Sequence, residues 1–461
     1  MRLILLALLL ACASLRAAGP VYVVLWFDTE DYVEQAADDA ALRIARDLTG
    51  LGVGATFKVV AEKARTLDRR GRRDVLDAIA LHDIGYHSNF HSQQPTPALY
   101  LRDLGYVEGA AEFERRERPG MLDLARIFGV LPSCYGQPGN SWAPQTNTAL
   151  RRMGIPVYLD EGTHVGLNNQ PFWYGGLLYI FNMGRYQLRA PLDGDEPLAA
   201  SFTHFDAAAA ELGARGGGVI SIYYHPTEFV TAEFWDAVNF AKGANPESAN
   251  WVRPRRRTES ESERCFRILH DYVAHGKSVP GVRFVTAREL LQLYGKPAAP
   301  QIGREQIAAH LAARQTFLET GEGSLSAADM LVALLGMDPR YVDGPSTRAT
   351  STLRAETIPR PAFEHAKADA VSFISANQRL PAEVWIGSQT LSIGDFAATM
   401  AGDRGEGDIR VRHANLEFEK YFSNEPEKAF DWPIHPEGFR APELLELGRL
   451  QGWTLKPARL R

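Results

Sequence analysis

Cysteine is scarce, with three in 461 residues, at Cys12, Cys134 and Cys265. So few thiols exclude a disulfide scaffold and a zinc site built on cysteine. A single Cys134–Cys265 bridge is allowed in an oxidising compartment, but spacing cannot bring the two within bonding distance, so the pairing stays open. An excess of either charge is also lacking: 50 Lys and Arg stand against 56 Asp and Glu, for a net −6. That balance has none of the basic footprint of a nucleic-acid binder. After the first residues no segment reaches 18 consecutive apolar residues, so no transmembrane helix is expected in the mature chain. What remains, 45% hydrophobic and 23% charged residues, is a globular composition long enough for two or three domains.

The one apolar run stands at the start. In MRLILLALLLACASLRAAGP one basic residue precedes Leu3 to Ala13, and small residues follow. This is the pattern of an export signal over residues 1–18, too short to cross a bilayer. Cleavage near Ala13 or Ala18, or lipidation of Cys12 in LLAC, would each leave an exported protein, periplasmic, extracellular or tethered to the cell surface.

Short β-branched and aromatic runs then alternate with amphipathic stretches from Val21 to about Gly295. Strands are expected at 21–27, 55–60, 83–87, 132–135, 155–159, 177–181, 219–224 and 282–285, and helices at 38–48, 74–80 and 146–154, among others. Such alternation over residues 20–295 predicts an α/β fold, an irregular (β/α) barrel. The Pro- and Ala-rich KPAAPQIG, 296–303, reads as a linker. Beyond it the strand signals fade, and a smaller, mainly helical domain is expected over 304–402, with a charged extension over 403–461. A weak internal repeat lays 306–336 over 362–402: QTFLE matches VSFIS, and LSAAD matches LSIGD. Two short repeats, or chance likeness between Ala/Leu-rich helices, both account for it.

Three strand ends carry the candidate chemistry. VVLWFDTEDY delivers Asp28, Glu30 and Asp31 just after a buried strand, DIGYHSNFHS places His87 and His91 four apart, and VISIYYHP puts His225 directly after an apolar run. Two imidazoles at that spacing converge on one ion, and a nearby carboxylate completes a three-ligand site. Twelve histidines in this length give roughly 0.3 such pairs by chance, so spacing alone is weak. Location adds weight, because the ends of parallel strands open onto one face of a barrel. An ion site, a base and an acid are the parts of hydrolysis. Trp26, Trp142, Trp173 and Tyr174 either offer flat faces to sugar rings or fill the core.

These motifs resemble the polysaccharide deacetylases of the NodB homology type, carbohydrate esterase family 4, over residues 21–295. FDTEDY is similar to the family's first motif, and HSNFHS matches its second, H-[S/T]-x-x-H-[P/S], in full. The resemblance implies Asp28 as catalytic base, His87 and His91 with Glu30 or Asp31 on a divalent metal (Zn²⁺, with Ni²⁺ or Co²⁺ as alternatives), and His225 as general acid. It also implies an oxyanion contact near Gly139 and Trp142, and Asp160 as the acid that orients His225. The third motif departs, with Gly136 where the family has an arginine that orients the base. The expected function is removal of N- or O-linked acetyl groups from an acetylated polysaccharide. A catalytically weakened glycan-binding protein and a small-metabolite amidohydrolase are the alternatives. A second stretch, FISANQRLPAEVWIGSQTLSIGDFAATMA, resembles pseudomurein-binding repeats, which implies docking on a cell-wall glycan.

Overall fold

The structure, a computed structural model, describes residues 18–194, 196–295, 302–313, 315–321, 323–414 and 416–461. The expected leader with Cys12, and most of the 296–303 linker, lie outside the described residues.

The apolar runs form strands close to where the sequence places them: β1 (Val21–Thr29), β2 (Thr56–Val59), β3 (Asp83–Tyr86), β4 (Cys134–Tyr135), β5 (Val157–Leu159), β6 (Phe172–Tyr174), β7 (Leu177–Ile180), β8 (Gln187–Leu188), β9 (Gly218–Tyr224) and β10 (Val282–Val285). The two unexpected strands, β6 and β8, are too short to leave an alternating pattern. Along the sheet the order runs β6-β7-β5-β4-β3-β2-β1-β9-β8, with β10 against the first half of β1. Except for the antiparallel β6–β7 pair, these ladders are parallel, so their carboxyl ends share one edge. The sheet curls without closing, an open half-barrel, which is the irregular barrel expected. Helices cover it through stripes of small and branched residues. Helix Ala36–Gly50 buries Ala37, Ala41, Ile44 and Leu48, and helix Thr146–Met153 stops at Gly154, whose φ of 81° a β-carbon would strain.

Strands do not vanish in the second half, contrary to the sequence pattern. Helix Arg304–Ala312, hairpin β11 (Phe317–Glu319) and β12 (Ser324–Ser326), and helix Ala327–Leu334 make one unit. A short ladder, β13 (Thr357–Ile358) with β16 (Ile409–Arg410), flanks the next. That unit comprises helix Arg360–Asn377, hairpin β14 (Glu383–Ile386) and β15 (Gln389–Ser392), and helix Ile393–Ala401. The matched LSAAD and LSIGD are in each copy the last hairpin residues and the helix cap, with the Ser326 hydroxyl accepting from the Asp329 N–H and Ser392 from Asp395. Two- to four-residue strands beside long helices are too brief for periodicity to reveal.

The last residues return to the first region. β17 (Lys456–Pro457) pairs antiparallel with β6 and becomes the edge of the large sheet. Cys134 and Cys265 are both free and buried, so the permitted bridge is not formed. Among the described residues no helix is long and apolar enough to cross a membrane.

Candidate metal centre and active site

Parallel strand ends bring the three motifs together. Asp28 and Glu30 leave β1, His87 follows β3 and His225 follows β9, and all line one cavity of about 590 Å³ at the carboxyl edge of the sheet. Glu30, His87 and His91 present ligand atoms that all lie within 4.8 Å of one another, and all three are buried. Glu30 Oε2 stands 3.2 Å from His87 Nε2 and 2.9 Å from His91 Nε2. The His91 Nε2 makes no hydrogen bond at that distance, as expected of a lone pair aimed at a shared point instead of along an N–H···O line.

The shell around these atoms leaves both Nε2 atoms for an ion. His87 Nδ1 lies 3.1 Å from the Gly136 carbonyl, and His91 Nδ1 lies 2.5 Å from the Ser92 hydroxyl, which in turn donates to Asp236. A carbonyl can only accept, so His87 carries its proton on Nδ1. Trp235 Nε1 donates to Glu30 Oε1 at 3.0 Å and fixes the carboxylate. Burial would raise the Glu30 carboxyl, but the adjacent His91 and His87 imidazoles, with His225 beyond them, hold it well below the ordinary range. The loop supplying the pair is strained: Ser88 and His91 sit at φ of 69° and 57°, and the Ser88 hydroxyl accepts from the His91 N–H. Two nitrogens and one carboxylate, all buried and mutually oriented, fit a divalent ion of the zinc type.

Of the two acids expected as ligands, only Glu30 reaches the histidines. Asp31 is turned away: Oδ1 accepts from the N–H groups of Val33 and Glu34, and Oδ2 accepts from the Thr227 hydroxyl. Burial raises its carboxyl to about 6 against the opposing charge of Lys63. It pins the turn after β1 and is corrected from ligand to anchor.

Asp28 sits between two imidazoles, with Oδ1 3.5 Å from His87 Nε2 and Oδ2 3.6 Å from His225 Nε2. The partner that orients His225 is Glu228, not Asp160. Glu228 Oε2 is 3.2 Å from His225 Nδ1 and accepts the His225 backbone N–H at 2.9 Å, while Oε1 pairs with Arg189. Burial alone would lower His225, yet the Glu228 hydrogen bond and the charges of Glu30, Glu228 and Asp28 raise it to about 9. Asp160 instead meets Lys58, whose Nζ lies 2.8 Å from Asp160 and 2.9 Å from Asp28. Lys58 is the residue that motif reading misses. Its signal is a single lysine inside the apolar strand ATFKVV, a position that must be buried and therefore paired.

Gly139 does line the cavity, but Trp142 does not. Trp142 is wholly buried and stacks on His164 with ring centroids 5.1 Å apart. Trp26, Trp173 and Tyr174 are buried too, and belong to the core. The aromatic face in the cavity comes from Trp432, 290 residues beyond Trp142 by sequence number, together with Phe234. Residues 421–437 run as a strap over the strand ends. Tyr421 O accepts from Gly166 N, Ser423 N donates to His164 O, Asn140 Nδ2 to Asp431, Trp432 Nε1 to Asp236, Lys242 N to Pro433 O, and Gln94 Nε2 to Ile434 O. A β-carbon on Gly139 would come within 2.3 Å of Trp432 Cδ1, so the strap's seat requires glycine there. Phe430 wedges between His164 and His435, two buried imidazoles that desolvation lowers to about 3 and about 4, and which are therefore neutral props.

No protein-family model matches the chain, and no curated protein does. Solved structures overlap it weakly. A family 4 acetyl xylan esterase from Clostridium thermocellum in complex with a cobalt ion is 17% identical, covers 60% of this chain and 93% of its own, and gives a TM-score of 0.31. A family 4 carbohydrate esterase from Streptomyces lividans in complex with acetate gives 0.30 at 15% identity over 58% and 92%. An allantoinase gives 0.39 at 13% over 59% and 90%. None of these reaches a TM-score of 0.5, so the chemistry rests on the side chains of the site itself.

Proposed function

We propose that the protein is a metal-dependent hydrolase that removes acetyl groups from an acetylated polysaccharide. The observation that carries this reading is the convergence of a buried Glu30–His87–His91 ligand set with Asp28 and His225 in one cavity. When bound, a divalent ion would lower the pKa of water and polarise the acyl carbonyl. Asp28 Oδ2, at the cavity edge, takes the proton of the attacking water. His225, kept protonated by Glu228, faces Asp28 from across the site and donates to the leaving nitrogen or oxygen. Trp432 and Phe234 give an apolar wall against which a sugar ring can lie, and Gly139 borders the place where the acyl oxygen develops charge.

A glycan-binding protein without activity was favoured by the missing arginine at Gly136. Lys58 beside Asp28 offers a cation in that arginine's stead, which supports the catalytic reading. Export by the leader and docking through the two helix–hairpin–helix units belong to the same proposal. The latter draws on Trp385, which stands 57% exposed on β14.

Elemental analysis of the purified protein, paired with acetate release from acetylated chito-oligosaccharides and xylan before and after chelation, tests the reading. Stoichiometric zinc, nickel or cobalt with chelator-sensitive release is expected. Bound metal with no release across such a panel would overturn the substrate class, and release of ammonia or urea from small amides would turn it toward a metabolite amidohydrolase.

A further inference from the structure

Lys58 lies in β2 between Phe57 and Val59, and its side chain is 0% exposed. In the parallel β1–β2 ladder it is the register partner of Asp28, which puts both side chains on one face of the sheet. Its ammonium stands over the Trp26 ring at 4.0 Å and between Asp28 Oδ1 and Asp160 Oδ2. Two glycines make room for it. A β-carbon on Gly85 would lie 2.8 Å from Lys58 Cγ, and one on Gly136 would lie 2.1 Å from Nζ. Asp160 is itself tied down, accepting the Glu161 N–H at 2.7 Å, so it can hold the ammonium still. A methionine would fill the same passage without desolvating a charge, so packing does not account for a lysine here.

We propose that Lys58 is the positioning residue for Asp28: anchored by Asp160, it pins Oδ1 so that Oδ2 alone is offered to the cavity beside His225. The glycine at 136 is then the space this lysine needs, and the cation reaches the acid from β2 instead of from the loop after β4. The inference rests on the reading of Asp28 as base.

Two variants test it: K58M, and K58M/D160N, which also removes the carboxylate left without a counter-charge. In both, kcat for acetate release is expected to fall about 100-fold, with KM within about threefold and zinc content unchanged. Melting temperature should drop in K58M and largely recover in the double variant. Recovery of kcat along with melting temperature, or undiminished kcat in K58M, would overturn the proposal, because charge balance alone would then explain the lysine. If K58M does not fold, the double variant decides. Crystal structures of zinc-loaded wild type and K58M/D160N read the same point without turnover. One Asp28 rotamer facing His225 is expected in the wild type and a rotated or split carboxylate in the variant, and an unmoved Asp28 would overturn the proposal. A zinc-loaded wild type that releases no acetate would reject the deacetylase reading, and the Asp28 rotamer would still decide Lys58.

Discussion

The floor and the roof of the cavity are built by different physics. The floor is made of strand ends within the first 225 residues, where carboxylates, imidazoles and one ammonium are buried at 2.8–3.6 Å from one another. The roof is a strap from 421–437, held by backbone and amide hydrogen bonds and padded by aromatic rings and two uncharged histidines. A floor of coupled charges does chemistry and tolerates no loss of a partner, whereas a roof of rings and single hydrogen bonds shapes what is admitted. Changes in the floor should therefore appear in metal content and kcat, and changes in the roof in KM.

The largest effect is expected at the ligands. His87→Ala and His91→Ala should each reduce bound metal below about a tenth of stoichiometric and abolish turnover, with the fold kept by circular dichroism; full metal content in both would dismantle the floor as described. Asp28→Asn should retain the metal and lower kcat by roughly 10²- to 10⁴-fold, the range for losing a positioned base. Equal turnover in that variant would assign the base elsewhere.

The acid is tested by pH. A donor must be protonated, so activity should be lost as pH rises through the His225 value, about 9 in the protein without metal and lower once a dication is bound nearby. Glu228→Gln removes the leading hydrogen bond that raises His225, so the alkaline limb should move to lower pH, with little change at pH 6. A limb that stays in place would free Glu228 from that role.

Smaller effects mark the roof and the turn. Trp432→Ala should raise KM about three- to tenfold, the scale of one stacked ring, with kcat within about threefold; the opposite split would place Trp432 in the floor. Asp31→Ala should lower the melting temperature by a few degrees through three lost hydrogen bonds while leaving metal content intact, and loss of metal there would restore Asp31 as a ligand.

Much of the floor was legible because it obeys local rules. Apolar runs gave the eight principal strands, and Asp28, His87 and His225 each stand directly at or after a strand end, where parallel strands deliver side chains to one edge. Asp160 was misassigned because sequence shows an acid near the site but not which cation it faces. Trp142 was misassigned because a ring's burial depends on what packs over it, here His164 and the strap beyond. Lys58 belongs to none of the motifs, and only the β1–β2 register makes it the neighbour of Asp28.

By itself the sequence determined the alternating α/β pattern, the HSNFHS pair, the acids after β1 and the histidine after β9, since these depend on periodicity and spacing along one strand or loop. Only the tertiary structure decided that Glu30 and not Asp31 meets the histidines, that Glu228 holds His225, that Lys58 occupies the space opened by Gly136, and that residues 421–437 roof the cavity. Three of these depend on ladder register and on chain segments up to 340 residues apart, and contacts at such separations are set by how whole elements pack, which no local pattern encodes; the Glu228 bond spans only three residues, and what the packing decided there is that Asp160 faces Lys58 instead.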